Sequence, residues 1–468
     1  RLGTIRMAMA AIKQKEIDEQ ITLDDSAILA VLTKMVKQRQ DAAAQYDAAN
    51  RVTDLIFPDN TRIQANSYQW EAPTQITYPG GSQAQFDVDG LLQLTGLTVA
   101  DGAANPLLQH SYTYDATGNI TSQRTHFDEL EYVYDDLSRL TSATGSESSE
   151  LFTYDAVGNR LTSAGIEDAW QYNANHQLTA IGTDSYQYDE NGSMTMRPVI
   201  PGMQQHFDYD IRGRLSQVIN QSDNGDGTVT DNPVATYQYD PFGRRISKNT
   251  DGVTTYFLYG QNGLMGEYSA SGDVIREYDY WPGSHWGTNP VYLKQESEHY
   301  YYHNDHIGTP QAISNSQGQI VWRAEYDAFG LSTIAQESVS NPLRYPGQYQ
   351  DDETRLHYNY FRYYDPSQGR YLREDPIGLT GGINRYSYVL QNPMIYFDPL
   401  GLRGRTLLVS PRDGIRRTPR KAPPKPNPGN GEISMRQFLE PPIHRNLNDL
   451  NDPSTNDDAP PYMNPVPQ

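Results

Sequence analysis

The sequence predicts a mainly β protein: antiparallel β-hairpin repeats forming a spiralling sheet, an N-terminal helical segment, and a Pro-rich, largely irregular tail. Three observations predict it. Tyr occurs 35 times against 11 Phe, a balance that favours sheet, where the ring packs and the hydroxyl is expected to stay in water. A Tyr-Asp signature with Gly three residues after the Asp recurs, with many successive tyrosines about twenty residues apart, a period typical of repeat architectures. The composition then changes abruptly at Arg403, from Tyr-, Gly- and Asp-rich repeats to a Pro-rich tail.

Residues 1–43 lack the repeat. Asp24-Asp25-Ser26 can cap a helix carrying Ile28, Leu29, Leu32, Met35 and Val36 at helical spacing, so this stretch reads as a helical insertion or linker. The repeat follows. It is clear at Tyr114-Asp115…Gly118-Asn119, Tyr154-Asp155…Gly158-Asn159-Arg160, Tyr188-Asp189…Gly192, Tyr209-Asp210…Gly213-Arg214, Tyr239-Asp240…Gly243-Arg244 and Tyr326-Asp327…Gly330. Residues before each signature alternate, as in Tyr112-Thr113-Tyr114, and read as strand. The Asp can accept hydrogen bonds from nearby backbone N–H groups and Gly tolerates φ > 0, so each signature is a tight turn. Ile120-Thr121 or Leu140-Thr141 then starts the return strand. One hairpin is marginal alone, so the units are expected to pair into a continuous sheet.

Near the end, Asp375-Pro376-Ile377-Gly378-Leu379 returns as Asp398-Pro399-Leu400-Gly401-Leu402, with eighteen residues between the copies. Each copy is a good turn and could simply end a strand. Two carboxylates brought together could instead hydrolyse a peptide bond with neither metal nor nucleophilic side chain. Close like charges cannot both ionise easily, so one carboxyl polarises the scissile carbonyl and the other takes a proton from water. Which Asp is acid and which is base stays open in the sequence. Glu374 reads as a solvated neighbour, and Gly381-Gly382 with Asn384 as shaping the intervening loop. His303, Asp305 and His306 read as a structural turn rather than a metal site, and Asp223–Gly227 as a hairpin loop rather than a calcium loop. The tail has 66 residues, thirteen of them Pro, and only 433–450 could fold locally.

Net charge is −21, which argues against a nucleic-acid-binding scaffold. The tail carries +3, with eight of its ten basic residues between Arg403 and Lys425. There is no Cys, which excludes disulfides and thiolate metal sites. No apolar run approaches the length of a membrane span and no signal peptide opens the chain. Because the first residue is Arg1, the chain is expected to be a piece of a longer polypeptide.

The tyrosine-aspartate hairpins, the run Tyr302-His303-Asn304-Asp305-His306-Ile307-Gly308-Thr309-Pro310, and the ordered block Tyr358–Leu402 with Tyr360-Phe361-Arg362-Tyr363-Tyr364-Asp365-Pro366 resemble the C-terminal part of an Rhs (rearrangement hotspot) YD-repeat protein with its associated core. The resemblance covers roughly residues 44–402 and implies a hollow shell around a C-terminal polypeptide, usually a toxin. It implies cleavage at Leu402–Arg403 by Asp375 and Asp398 with help from Arg362, without cofactor or metal. Four segments follow: the helical stretch 1–43, YD-repeat sheet 44–300, core with cleavage site 301–402, and variable tail 403–468. The implied partners are the remaining N-terminal shell segments or a shell-closing protein, a secretion apparatus and an immunity protein. The implied location is outside the bacterial cell or at its surface, with export information elsewhere. The alternatives are a non-cleaving cell-surface interaction protein built on the same hairpins, or a degenerate Rhs gene end; family toxins are usually larger than this tail.

Overall fold

The computed structural model describes residues 41–406 apart from 126–127, 147, 164–165 and 167, together with 33–35 and 39. Of the helix expected in 1–43, residues 33–35 are α-helical and the remainder lies outside the described residues, as does the tail beyond Thr406.

The described chain is an antiparallel meander. Eleven strands from Ala43–Tyr46 to Ser149–Leu151 pair in sequence order, and fourteen more from Gln187–Tyr188 to Ser332–Glu337 do the same. Between them lie a two-stranded and a three-stranded sheet, and a four-stranded sheet ends the series at Arg370–Tyr371. The expected continuous sheet is therefore interrupted. Strands between Thr153 and Ser185 are only two to four residues long, too short to carry an unbroken ladder.

Each turn forms as its residues dictate. Asp115 Oδ1 accepts the N–H groups of Thr117 (2.8 Å) and Asn119 (2.9 Å), while Gly118, at φ +89°, donates to the Asp115 carbonyl. The positive φ belongs to a type I turn with an adjoining bulge, and the register shifts there between Thr113 and Tyr114. Where Asn or Arg follows the Gly, it locks the other carboxylate oxygen: Asn119 Nδ2 donates to Asp115 Oδ2 (2.9 Å), and Arg214 and Arg244 do the same to Asp210 and Asp240. This is why Asn or Arg follows the Gly.

The tyrosine hydroxyls are not in water. Tyr114, Tyr134, Tyr154, Tyr172, Tyr209, Tyr239 and Tyr326 donate to the carbonyls of Leu94, Ile120, Leu140, Arg160, Met194, Leu215 and Pro310, at 2.6–2.9 Å. Each acceptor is the first residue of an earlier return strand, so each of these seven tyrosines ties its turn to a preceding one, while the buried Tyr188 hydroxyl has no such partner among the described residues. Tyr154 and Tyr172 carry the ladder across the sheet breaks. A buried hydroxyl needs such a partner, which fixes the tyrosine's place in the repeat.

The C-terminal block crosses this row of turns. Tyr360 Oη donates to Phe242 O (3.2 Å), Arg373 to Gly213 O, and Tyr386 Oη to Gly192 O (2.8 Å). Further along, Gln391 Nε2 donates to Gly158 O (2.9 Å), and Asn392 Nδ2 to Asn119 Oδ1 (2.9 Å) and Ser138 O (2.8 Å). Apolar contacts support the same docking: Tyr358, Tyr363 and Leu372 share a core with Phe207, Val218, Tyr237 and Phe257 of the fourteen-stranded sheet.

One junction is acidic. Glu150, on the last strand of the first sheet, accepts the Ala328 N–H (2.8 Å) beside Asp327 in the turn after Ile320–Tyr326. Burial and the Glu150 charge push the Asp327 carboxyl up to about 7, and burial raises Glu150 as well, with Arg160 opposing both. A carboxyl raised in the folded state contributes stability that is full below its unfolded value, near 4, and is lost as pH rises through about 7. The displacement is worth at most about 4 kcal/mol. Glu150→Gln keeps an acceptor for Ala328 and removes one charge. Its melting temperature relative to the parent should therefore rise between pH 4.5 and pH 8, and an unchanged difference would contradict charge repulsion between Glu150 and Asp327.

Candidate active site

Arg362 opens the strand Arg362–Asp365, which is hydrogen-bonded to Leu356–Asn359 on one side and Arg370–Tyr371 on the other. Its guanidinium lies 3.6 Å from the Tyr371 ring centroid and reaches both repeated aspartates: Nη2 is 2.9 Å from Asp375 Oδ2 and 3.4 Å from Asp398 Oδ2. Nε donates to Gly401 O and Nη1 to Arg385 O (3.0 Å). All three side chains are buried, at 3%, 6% and 2% exposure for Arg362, Asp375 and Asp398. The two copies of the repeated phrase, distant in sequence, thus meet on one arginine.

Each copy folds as its sequence predicts. Gly378 and Gly401 take φ +60° and +68°. Asp375 Oδ1 accepts the Ile377 N–H (3.0 Å), and Asp398 Oδ1 accepts the N–H groups of Leu402 (3.0 Å) and Leu400 (3.4 Å). Asp398 Oδ2 also accepts the Tyr371 hydroxyl (2.9 Å), while Asn359 Nδ2 donates to the Asp398 carbonyl (2.9 Å). Burial raises the Asp375 carboxyl, and the Asp398 charge adds to this, while Arg362 and the Ile377 N–H oppose it.

The Leu402 carbonyl and the Asp375 carboxyl both border Gly381. A Cβ placed on Gly381 would lie 2.3 Å from Asp375 Oδ2 and 2.9 Å from Leu402 O, so carboxyl and carbonyl converge on one small gap. Phe397 and Arg405 close the loop around them with two backbone hydrogen bonds, of 2.9 and 2.7 Å. Leu402 is half-buried and Arg403 exposed, so the Leu402–Arg403 bond sits where the chain leaves the interior.

Tyr371, Asn359, Arg385 and the Gly381 gap belong to the site and were not singled out for it from the sequence. The signal for Asn359 and Tyr371 was their place in the ordered block around Arg362. Glu374 lies outside the pair and bonds Arg385. His303 Nε2 meets Ser314 Oγ (2.9 Å), His306 Nε2 meets Met394 O (2.6 Å), and Asp305 caps its own turn through the Ile307 and Thr309 N–H groups. Among the described residues, no three His, Asp or Glu groups gather closely enough to hold a metal ion, and no helix is long and apolar enough to cross a membrane.

Similarity to known proteins agrees with the repeat architecture. The family model described as Teneurin YD-shell matches residues 103–388, and one described as Yqey-like protein matches residues 1–65. The chain is 30% identical over 338 residues to double-stranded DNA deaminase toxin A of Burkholderia cenocepacia, covering 65% of this chain and 23% of that protein. It is 32% identical over 359 residues to probable deoxyribonuclease RhsB of Dickeya dadantii, covering 69% and 23%. The crystal structure of TcdB2-TccC3-Cdc42 shares the fold, with a TM-score of 0.62 at 23% identity over 77% of this chain and 20% of that one. The chain spans about a quarter of the length of these two curated relatives. Ladder, turns and matched family together place this chain in the Teneurin YD-shell family, as an Rhs/YD-repeat shell protein related to toxin-delivery proteins.

Proposed function

We propose that the chain is the C-terminal part of a toxin-delivery shell that cuts itself once, between Leu402 and Arg403, to free residues 403–468 as enclosed cargo. In this reading 44–300 is scaffold, 301–402 carries the cutting site, and 1–43 is an insertion or linker. The observation that carries it is the bridging of Asp375 and Asp398 by Arg362 beside the Leu402 carbonyl.

Asp375, its carboxyl raised by burial, holds the proton and donates it to the Leu402 carbonyl oxygen. Asp398 takes a proton from the attacking water, whose oxygen bonds to the Leu402 carbonyl carbon. In collapse the Arg403 nitrogen receives the proton from Asp398, the C–N bond breaks, and the oxygen returns its proton to Asp375. Arg362 offsets the negative charge the pair would otherwise accumulate. Partners in this scheme are the preceding shell segments or a closing protein, a secretion apparatus and an immunity protein, and the working location is outside the producing cell or at its surface.

The test is intact mass and denaturing-gel analysis of the freshly purified, C-terminally tagged chain beside Asp375→Asn and Asp398→Asn. A break at Leu402–Arg403 in the parent and in neither variant is expected. A folded parent that stays intact would overturn self-cutting and favour a non-cleaving interaction protein.

A further inference from the structure

Beyond the proposed cut, the last described residue stands beside an apolar cavity. Arg405 is pinned to Phe397 by two backbone hydrogen bonds, and Thr406 lines a cavity of about 320 Å³ between the two large sheets. Its walls come from Ile76, Ala84, Leu97 and Val99 of the first sheet and from Trp281 after Val274–Tyr280 of the second. This is about twice the volume of a core cavity that accepts a benzene molecule, which leaves room for two or three aliphatic side chains. The residues that follow Thr406 are Leu407, Leu408 and Val409, the only run of three consecutive aliphatic residues after Leu402.

We infer that this cavity is the seat of Leu407–Val409 and holds the start of the tail on the shell. The argument rests on chain path and chemistry. A segment whose preceding residue already lines an apolar cavity meets almost no extra loop-closure cost on entering it. Burying a leucine removes enough apolar surface from water to favour that seat. Beyond Val409 the tail turns basic and Pro-rich, with no comparable segment to compete for the space. Seating does not depend on the cutting reaction. If the bond at Leu402 is cut, however, the two Phe397–Arg405 hydrogen bonds and this seat keep the tail attached without a covalent link.

The absence of Cys makes the test direct. Leu408→Cys is combined in the full chain with Ala84→Cys inside the cavity, or with Ala72→Cys at its exposed lip, and Ala459→Cys replaces the tail partner as control. Mild oxidation should join 408 to 84 or 72 within one chain, because a disulfide requires Cα atoms within about 7 Å. The link should also form in the Asp375→Asn background, where self-cutting is blocked, so failure of the cutting mechanism leaves this result intact. Failure of both 408 pairs to form in chains that fold, a preference for 459, or links only between separate chains would each overturn the seat. In a chain that cuts, Leu408→Asp should speed dissociation of the cut tail at least about tenfold, as expected for losing one buried leucine.

Discussion

Gly381→Ala is expected to leave the shell folded and stop it cutting. No acid is removed and no backbone strain is introduced by a left-handed φ, because Gly381 is not among the positive-φ glycines. The added methyl would nonetheless fall 2.3 Å from Asp375 Oδ2 and 2.9 Å from Leu402 O, in the gap where the proposed mechanism brings proton donor and carbonyl together. One of them has to move. Displacing a reacting group by about 1 Å costs on the order of a hundredfold in rate, whereas overpacking costs about 1–3 kcal/mol of stability. Gly404→Ala is the matching control beside the scissile bond: its methyl would meet Val389 at ordinary contact distances of 3.5–3.6 Å, and it should cut at the parental rate. The measurement is the fraction cut with time after refolding, beside thermal melts of both variants. Parental cutting by Gly381→Ala would mean that the Leu402 carbonyl is attacked from some other geometry.

The contrast between Gly381 and the repeated phrase shows what a sequence can and cannot carry. Turn chemistry is local, so Asp115, Gly118 and Asn119 announce their turn within five residues, and each Asp-Pro-x-Gly-Leu copy announces another. The repeat period likewise revealed the hairpins. The purpose of the tyrosines was misjudged because their acceptors, Leu94 for Tyr114 or Leu215 for Tyr239, lie one or more strands back, and composition says nothing about partners. The proposed trio of Arg362, Asp375 and Asp398 came from order and family likeness. Their convergence on one guanidinium is made by a strap reaching Asn119, Gly158 and Gly213, contacts 160 to 273 residues apart in sequence. Gly381 matters only because of what stands near it, and no local rule conveys that.

Asp351→Asn is expected to be among the most destabilising single substitutions in the shell, although its carboxylate lies outside the proposed cutting site. Arg245 has no exposed surface, and among the described residues its only carboxylate partner is the equally buried Asp351, at 2.5 and 3.0 Å, 106 residues away in the first strand pair of the C-terminal sheet. Rings of Tyr237, Phe257, Tyr349, Tyr358 and Tyr363 surround the guanidinium, so the charge is screened by π faces and not by water. Burial alone would raise the Asp351 carboxyl, yet Arg245 and Lys248 together hold it below the usual carboxylate range. Neutralising it leaves a buried arginine without its counter-ion, a loss of about 3–5 kcal/mol. Lys248 keeps a second partner in Glu353 at 3.0 Å, so the penalty concentrates on Arg245. Removing the charge at both ends separates the pair from the packing: Arg245→Met with Asp351→Asn should recover most of that loss, since the desolvated cation is gone while the aromatic cage keeps a flexible apolar filler. Chemical denaturation of the two single variants and the double variant measures this. A double variant as unstable as the sum of its singles would show that the two residues contribute independently, through packing, and that the shell does not depend on their charge pairing to hold its C-terminal sheet against the hairpins.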